Sequence, residues 1–337
     1  MKIKASLKKI LPITWVEWIR RHRVYRELRD SGRRESAVFA RAYATPDGHD
    51  RIQLESLLIF YIHQIEKGFS FDKYQYGRGK NALQNIADLS RRLKEVDPTW
   101  AVNPVRADMV LALGEYRRRH VEAGMDITYM TELFDSSTNV DIDIASKKEY
   151  PNIEISIDEK KDNDSVSFRD LGERRHAIRS YSDEPVRRDE LEKAIAMSLR
   201  TPSVCNRQPA RVRIFTDKQQ IQKALKIQGG FGGYNLPPAL ILVTADLRAF
   251  MGANEHNEGY VDGGLFAMSL LYSLEACKLA ACPLNTMFNV DAERETRDLL
   301  DIPENEVFIM YIAVGHFRKM SKICRSQRYG LNHILIN

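Results

Sequence analysis

The sequence has little cysteine, and what it has is scattered. None of its four cysteines belongs to a CxxC pair or has histidines at metal-ligand spacing; they are Cys205, Cys277, Cys282 and Cys324. This absence argues against a disulfide framework and a zinc site, and it predicts a reduced, cytoplasmic protein without a metal. Cys205 would suit a nucleophile, but the sequence identifies no partner base, so we expect a small buried thiol.

Long apolar runs are also missing. No segment approaches the roughly 20 apolar residues that a membrane-spanning helix needs. The short patch ILPITWV (residues 10–16) is followed by arginines and not by a small-residue cleavage site, so we expect it to be retained and not to be a signal peptide. The composition, 43% hydrophobic and 29% charged, is typical of a soluble globular protein. At 337 residues the chain predicts one large domain and an accessory domain.

The positive charge is concentrated at the N-terminus. The net charge is +5, yet residues 1–35 hold eleven Lys and Arg against four Asp and Glu. A solvated helix face is the favoured interpretation, and we expect no nucleic-acid partner. Trp15 and Trp18 share one helical face, which would allow peripheral contact with an anionic membrane. Packing of this face against the rest of the protein is the favoured alternative.

The first part of the chain is predicted to be helical. Apolar residues in 51–68 recur at three- and four-residue steps, and Gly68 is a plausible C-cap. Further helices are predicted for NALQNIADLSRRLKEV (81–96) and for 105–120, with an ordered loop, FSFDKYQYGRGKN (69–81), before the first of them. We therefore assign residues 1–135 to a helical N-terminal extension. Residues 136–167, acidic and without lasting periodicity, are predicted to be a connector in which IEISI forms an edge strand.

Residues 168–337 alternate helical and strand patterns, which predicts an α+β sandwich whose mixed central sheet is flanked by helices. The glycines of GGFGGYN (229–235) follow a helix and do not match the strand-to-helix spacing of a dinucleotide loop. A Rossmann fold is therefore excluded. The sequence also offers no convincing triad, paired carboxylates or metal cluster, so we expect no catalytic side chain.

Four motifs in this region occur in a recognisable order. They are RRHAIRSYSDEPV (174–186), TPSVCNRQPA (201–210), VDGGLFAMSLLYSLEACKLAACPLN (261–285) and VGHFRKMSKICRSQRY (314–329). Together they resemble the FMN-dependent nitroreductase family over about half of the chain. More weakly, HQIEKGFSFDKYQYGRGKNAL (63–83) resembles the helical extension of nitroreductase-like proteins associated with bacterial polysaccharide biosynthesis.

The resemblance implies which residues meet the phosphate and ribityl chain of FMN. A dianionic phosphate needs multi-donor cations, and arginine supplies a bidentate fork. The implied residues are Arg175, Arg179 and Arg328, with Arg325 as a further candidate. Where the family usually has a hydroxyl this chain has Ala177, so His176 or Ser180 would have to replace one hydrogen bond.

The resemblance also implies a flavin-ring site. The edge of the ring suits carboxamides and backbone groups in a rigid loop, and the matching residues are Pro202, Ser203, Asn206 and Gln208. In the family this loop reaches the flavin of the partner subunit. The turn CPLNTM (282–287) matches the segment that donates a backbone N–H to flavin N5, through Asn285 and Thr286. Asp262 is interpreted as the N-cap of a helix beginning at Gly263, whose small residues would pack at the centre of a dimer.

These features imply a homodimer with FMN at the subunit interface and NAD(P)H as electron donor. The acceptor would be a small molecule: a nitroaromatic, a quinone or a polysaccharide-pathway intermediate. Two alternatives stay open. One is a non-catalytic protein of this fold whose basic arm engages a partner or an anionic surface, which Ala177 and Thr286 favour. The other keeps FMN but changes the reaction, for example to reductive dehalogenation.

Overall fold

The computed structural model describes residues 12–148, 150 and 154–336. Ile10 and Leu11 of the apolar patch, and Ile153 of the predicted edge strand, lie outside these residues. No helix in the part of the chain described here is both long enough and apolar enough to cross a membrane.

The first described helix, α1 (Ile13–Ala42), has no buried residue. Trp15 and Trp18 are 61% and 58% exposed, so the expected packing of this face against the rest of the protein is wrong. Arginines distributed around the helix leave no wide apolar stripe to bury. One contact with the remainder of the protein joins Glu35 to a ring nitrogen of His256 at 2.9 Å. Helix α1 therefore exposes its side chains within this chain.

The helical part has its own core. Asp50 caps the first of its helices by accepting hydrogen bonds from the backbone of Ile52 and Gln53, and Asn103 caps a later one that begins with a proline. Leu54, Leu58, Ile62 and Ile65 are buried as the periodicity predicts. The helices are α2 (Arg51–Phe69), α3 (Lys80–Val96), α4 (Pro104–Glu122), the short α5 (Thr128–Thr131) and α6 (Ser136–Ser146). Helix α2 ends at Phe69 with Ser70 as its C-cap, so the predicted cap at Gly68 is wrong.

The predicted connector is largely structured. Its first third is α6, whose Ile142 is fully buried in the core of the helical part. Ala145 lies against Gly114 of α4, where an added Cβ would come within 2.7 Å of the Ala145 Cβ. Ile142 and Ala145 are three residues apart and therefore share one buried face of the helix. The acidic composition of the segment did not predict this face. The predicted edge strand is confirmed as β1 (Glu154–Ser156), which pairs with β6 (Met320–Lys322).

A four-stranded sheet is the centre of the second part. Every neighbouring pair in it is antiparallel, so the α+β class is confirmed while the sheet is not the expected mixed one. Phe215, the last residue of β2, pairs with Leu240 near the start of β3. The connection between the two strands therefore returns to the same end of the sheet, and β3 runs antiparallel to β2. In spatial order the strands are β2 (Ala210–Phe215), β3 (Ala239–Asp246), β5 (Glu306–His316) and β4 (Leu279–Asn285).

Helices cover both faces of this sheet. On β3, Ile241 and Val243 point into one apolar cluster and Leu240 and Leu242 into the other, because successive side chains of a strand face opposite ways. The first cluster contains α8 (Arg188–Ser198) and α10 (Glu258–Ala276), and the second contains α9 (Lys218–Gln228) and α11 (Val290–Leu300). The shorter helices α7 (Phe168–Arg174) and α12 (Leu331–Ile334) complete this part.

Strand β4 was not predicted, because the segment was interpreted as the end of a helix followed by a turn. Helix α10 ends at Ala276, and the chain enters β4 two residues later through Lys278, which has a positive φ of 61°. Small residues and Pro283 give β4 weak strand propensity. The strand is at the edge of the sheet, where a proline is tolerated.

Candidate functional site

The segment that carries Arg175, His176 and Arg179 lies against β4. The backbone N–H of Ile178 donates to the carbonyl of Ala281 at 2.9 Å. The Tyr181 hydroxyl donates to the carbonyls of Ile178 and Ala313 at 2.8 and 3.1 Å. These bonds fix the backbone between the two arginines, so their side chains project from a rigid base.

A buried ion pair anchors the start of this segment. The Lys160 ammonium donates to Glu275 Oε1 at 2.8 Å and to the carbonyl of Arg174 at 2.6 Å. Asn163 donates to the same carboxylate at 2.9 Å. Glu275 belongs to the last turn of α10, so this end of α10 holds the chain immediately before Arg175.

His176 is placed to remain neutral. Its Nδ1 donates to the carbonyl of Arg174 at 2.8 Å, which leaves Nε2 as the acceptor in the neutral ring. Burial is the largest cause that lowers the pKa of His176, and the charges of Lys160, Arg175 and Arg328 act in the same direction. The structure therefore brings Arg175, His176 and Arg328 into one electrostatic neighbourhood.

Arg179 is a cation without an acidic partner. One of its guanidinium nitrogens donates to Cys324 Sγ at 3.3 Å, and the guanidinium carbon lies 5.9 Å from the centre of the Tyr234 ring. Its Nε is buried and has no hydrogen-bond partner among the described residues. Among the described residues, neither Arg175 nor Arg179 forms an ion pair with a carboxylate. This is unusual for half-buried arginines.

Arg325 has a structural role that the sequence did not indicate. Its guanidinium forms an ion pair with Asp108 of α4 and donates to Gln327 Oε1 at 2.8 Å. Burial, followed by the charge of Glu66, raises the pKa of Asp108 to about 6. The expectation that Arg325 reaches the phosphate is therefore corrected: this arginine joins the C-terminal segment to the helical part. Arg328 is exposed, and its guanidinium donates to the carbonyl of Ser326.

The polar loop 201–210 is held in an uncommon conformation. Cys205, Asn206 and Gln208 have positive φ angles of 48°, 56° and 50°, which non-glycine residues rarely adopt. The backbone N–H of Gln208 donates to Ser203 Oγ at 2.9 Å. Strained, exposed polar residues of this kind occur at ligand sites more often than in ordinary turns. Cys205 is exposed, so its predicted burial is wrong.

Asp262 holds this loop in place and is not an N-cap. Helix α10 begins at Glu258, four residues before the predicted cap, so Asp262 lies inside the helix. Its buried carboxylate accepts the backbone N–H of Val204 at 3.1 and 3.2 Å. Arg207 adds two hydrogen bonds of 3.0 Å to Glu255. This hydrogen bond was not predictable from the sequence, because Val204 and Asp262 are 58 residues apart.

The structure does not bring the two predicted halves of the site together within one chain. The polar loop is bonded to Asp262, and the arginine segment is anchored at Glu275 of the same helix. These residues are 13 apart, which is about 20 Å along a helix axis at about 1.5 Å per residue. Pro202, Ser203 and Gln208 line a separate cavity with Asp262 and Phe266.

Asn285 and Thr286 lie at the end of β4. The Asn285 carbonyl accepts a hydrogen bond from Gln228 at 3.2 Å, and Asn285 Oδ1 accepts one from the backbone of Met287 at 3.3 Å. A cavity of about 370 Å³ is lined by both residues together with Tyr260, Met287, Phe288 and Phe308. Since Ala281 of the same strand contacts Ile178, β4 connects this cavity to the arginine segment.

Part of the sequence matches a known protein family. Residues 173–231 match the family model described as Nitroreductase family. The matched residues include the arginine segment and the polar loop.

The chain is also similar to individual proteins. The chain is 25% identical over 173 residues to the FMN reductase [NAD(P)H] of Bacillus subtilis (strain 168), an alignment that covers 47% of this chain and 69% of the relative. Among solved structures, a nitroreductase family protein from Clostridium difficile 630 has a TM-score of 0.42 at 22% identity, covering 51% of this chain and 98% of its own. An FMN-dependent nitroreductase from Clostridium difficile R20291 has a TM-score of 0.38 at 21% identity, covering 43% and 85%.

Proposed function

We propose that this protein is an FMN-dependent oxidoreductase that uses NAD(P)H as its electron donor. The observation that carries the proposal is the rigid segment 175–179, in which two arginines lack an acidic partner in the described part of the chain. Unpaired, half-buried cations are costly unless an anionic group compensates them. The similarity to an FMN reductase [NAD(P)H] supports FMN as that group.

The residues present fit this cofactor. Arg175 and Arg328 would hold the phosphate, and Arg179, with its unpartnered Nε, would bind the ribityl chain or ring. The acceptor nitrogen of neutral His176 would accept a hydrogen bond from a ribityl hydroxyl, but it does not replace the donor that Ala177 lacks, because a phosphate only accepts. When bound, FMN supplies the two-electron chemistry, which is why no side chain need act as a nucleophile. Asn285 and Thr286 would position the ring at the end of β4.

We infer that a second copy of the chain completes the site. Val261, Leu265 and Met268 form an apolar stripe on the outer face of α10, and Leu265 is 47% exposed. The polar loop is bonded to Asp262, about 20 Å along the axis of α10 from Glu275, which anchors the arginine segment. An isologous pairing through α10 would cover the stripe and bring each loop to the arginines of the other chain.

The dimer makes one prediction. Leu265→Glu combined with Met268→Glu places two charges in the proposed interface, and we expect the variant to be monomeric and to lose FMN. Light scattering coupled to gel filtration measures the mass, and absorbance at the flavin bands measures the cofactor. Met251→Glu is the matched control, because Met251 is exposed but lies outside the stripe. A double variant that remains dimeric and yellow would contradict the arrangement.

The absorption spectrum of the purified protein tests the function itself. We expect flavin bands near about 370 and 450 nm that disappear when NADH or NADPH is added without oxygen. Steady NAD(P)H consumption with quinones or nitroaromatics would then exclude the non-catalytic alternative. A folded, colourless protein that takes up no added FMN would overturn the proposal. The physiological acceptor, including a polysaccharide-pathway intermediate, is to be identified by substrate screening.

Helix α1 suggests a place of action. Trp15, Trp18 and Ile19 are exposed on one side of a helix rich in arginine, which is the composition of helices that lie on anionic membranes. We expect the protein to co-sediment with phosphatidylglycerol-containing vesicles and not with pure phosphatidylcholine vesicles. Trp15→Ala combined with Trp18→Ala should abolish this binding, whereas Tyr43→Ala, just beyond the helix, should not. Equal sedimentation of the tryptophan variant and the unaltered protein would refute the membrane contact.

A further inference from the structure

Lys67 joins the helical part to the sandwich beside the candidate cofactor site. The Lys67 ammonium, at the end of α2, donates to the carbonyl of Gly230 at 3.1 Å. The Tyr234 hydroxyl donates to the carbonyl of Lys67 at 3.2 Å and lies 2.8 Å from Ser70 Oγ. Both ends of the turn 230–234 are thus attached to the last turn of α2.

The same turn leads to Arg179. The Tyr234 hydroxyl contacts Lys67 and Ser70 at the end of α2, and the centre of its ring lies 5.9 Å from the Arg179 guanidinium carbon. A second connection runs through Cys324, whose Sγ is 3.3 Å from an Arg179 nitrogen and 3.8 Å from Ser70 Oγ. Lys67 and Arg179 therefore belong to one cluster, although they come from different parts of the chain.

This cluster holds two positive charges and no acid. Both side chains are half-buried, and neither forms an ion pair within the described ranges. Burial and then the charge of Arg179 lower the pKa of Lys67. Two like charges in a partly buried site are unfavourable unless a bound group supplies negative charge.

We propose that Lys67 is an additional cation of the flavin site, supplied by the helical part, and that it acts with Arg179 to favour the redox state with the greater negative charge. This inference rests on the proposed function. The two-electron-reduced flavin carries more negative charge than the oxidised form, so adjacent cations bind it more tightly. The helical part would then tune the cofactor as well as cover the sandwich.

The test compares the affinities of the two redox states. Lys67→Gln removes the charge. Lys67→Met removes the charge but keeps an unbranched aliphatic side chain, and Lys67→Arg keeps the charge. Lys73→Gln is the matched control, because Lys73 is an exposed lysine of the loop that follows α2. The measurements are the FMN dissociation constant, the reduction potential of bound FMN against a reference dye, and the melting temperature.

We expect the affinity for reduced FMN to fall about tenfold more than the affinity for oxidised FMN in Lys67→Gln and Lys67→Met. In Lys67→Arg and Lys73→Gln both affinities should stay close to those of the unaltered protein. An equal loss of affinity in both redox states, or a lower melting temperature with an unchanged potential, would mean that Lys67 only attaches α2 to the turn. That result overturns this inference and leaves the proposed function standing. If the unaltered protein binds no FMN, both are overturned.

Discussion

Replacing both Arg175 and Arg328 with alanine is expected to abolish retention of FMN through purification. Charge-assisted hydrogen bonds are worth about 1.5–3 kcal/mol each, so losing one from each arginine should weaken binding by more than about a hundredfold. The backbone beneath Arg175 is held by Lys160 and by the pairing of Ile178 with Ala281, so the fold should be maintained. Fluorescence titration with FMN measures the change.

The control for this variant is Arg188→Ala. Arg188 is an exposed arginine of the same part of the chain, and among the described residues it pairs only with its helical neighbour Glu192, at 2.7 Å. It should leave FMN binding unchanged. If the double variant binds FMN as tightly as Arg188→Ala does, the phosphate lies elsewhere and the roles assigned to Arg175 and Arg328 are wrong.

Gly315→Ala is expected to destabilise the protein by about 1–3 kcal/mol and to weaken FMN binding. A Cβ on Gly315 would lie 2.6 Å from the Cβ and ring carbons of Tyr181. Tyr181 cannot move aside freely, because its hydroxyl donates to Ile178 and Ala313. Displacing it would shift the segment that carries Arg179. Thermal denaturation with and without FMN measures both effects.

Gly232→Ala provides the comparison, since a Cβ at Gly232 would meet nothing within 4 Å. Its melting temperature should match that of the unaltered protein. An unchanged melting temperature in Gly315→Ala would show that the 175–181 segment yields easily, and the argument for a rigid base beneath the arginines would fail. If the stability falls while the FMN affinity is unchanged, Tyr181 supports the fold but not the cofactor site.

Local pattern determined most of the secondary structure. The apolar spacing of Leu54, Leu58 and Ile62 places one face of α2 in a core, because residues three and four apart share a helix face. The apolar run of β3 is buried along its whole length, which is typical of a strand covered on both faces. Two of the four motifs, 174–186 and 201–210, lie within the residues that the family model matches. These features depend on neighbours in sequence, so the sequence alone sufficed.

Contacts between distant residues decided the remainder. Asp262 looked like a helix cap, but it accepts a hydrogen bond from Val204, and Arg325 looked like a phosphate ligand, but it pairs with Asp108. Lys67 gave no signal because its partners lie more than a hundred residues away. Residue type states what a side chain is able to bind, whereas the partner that it meets depends on how separate elements pack. The sequence therefore determined most of the elements and the family resemblance, and the tertiary structure decided which charges are paired and which remain for a ligand.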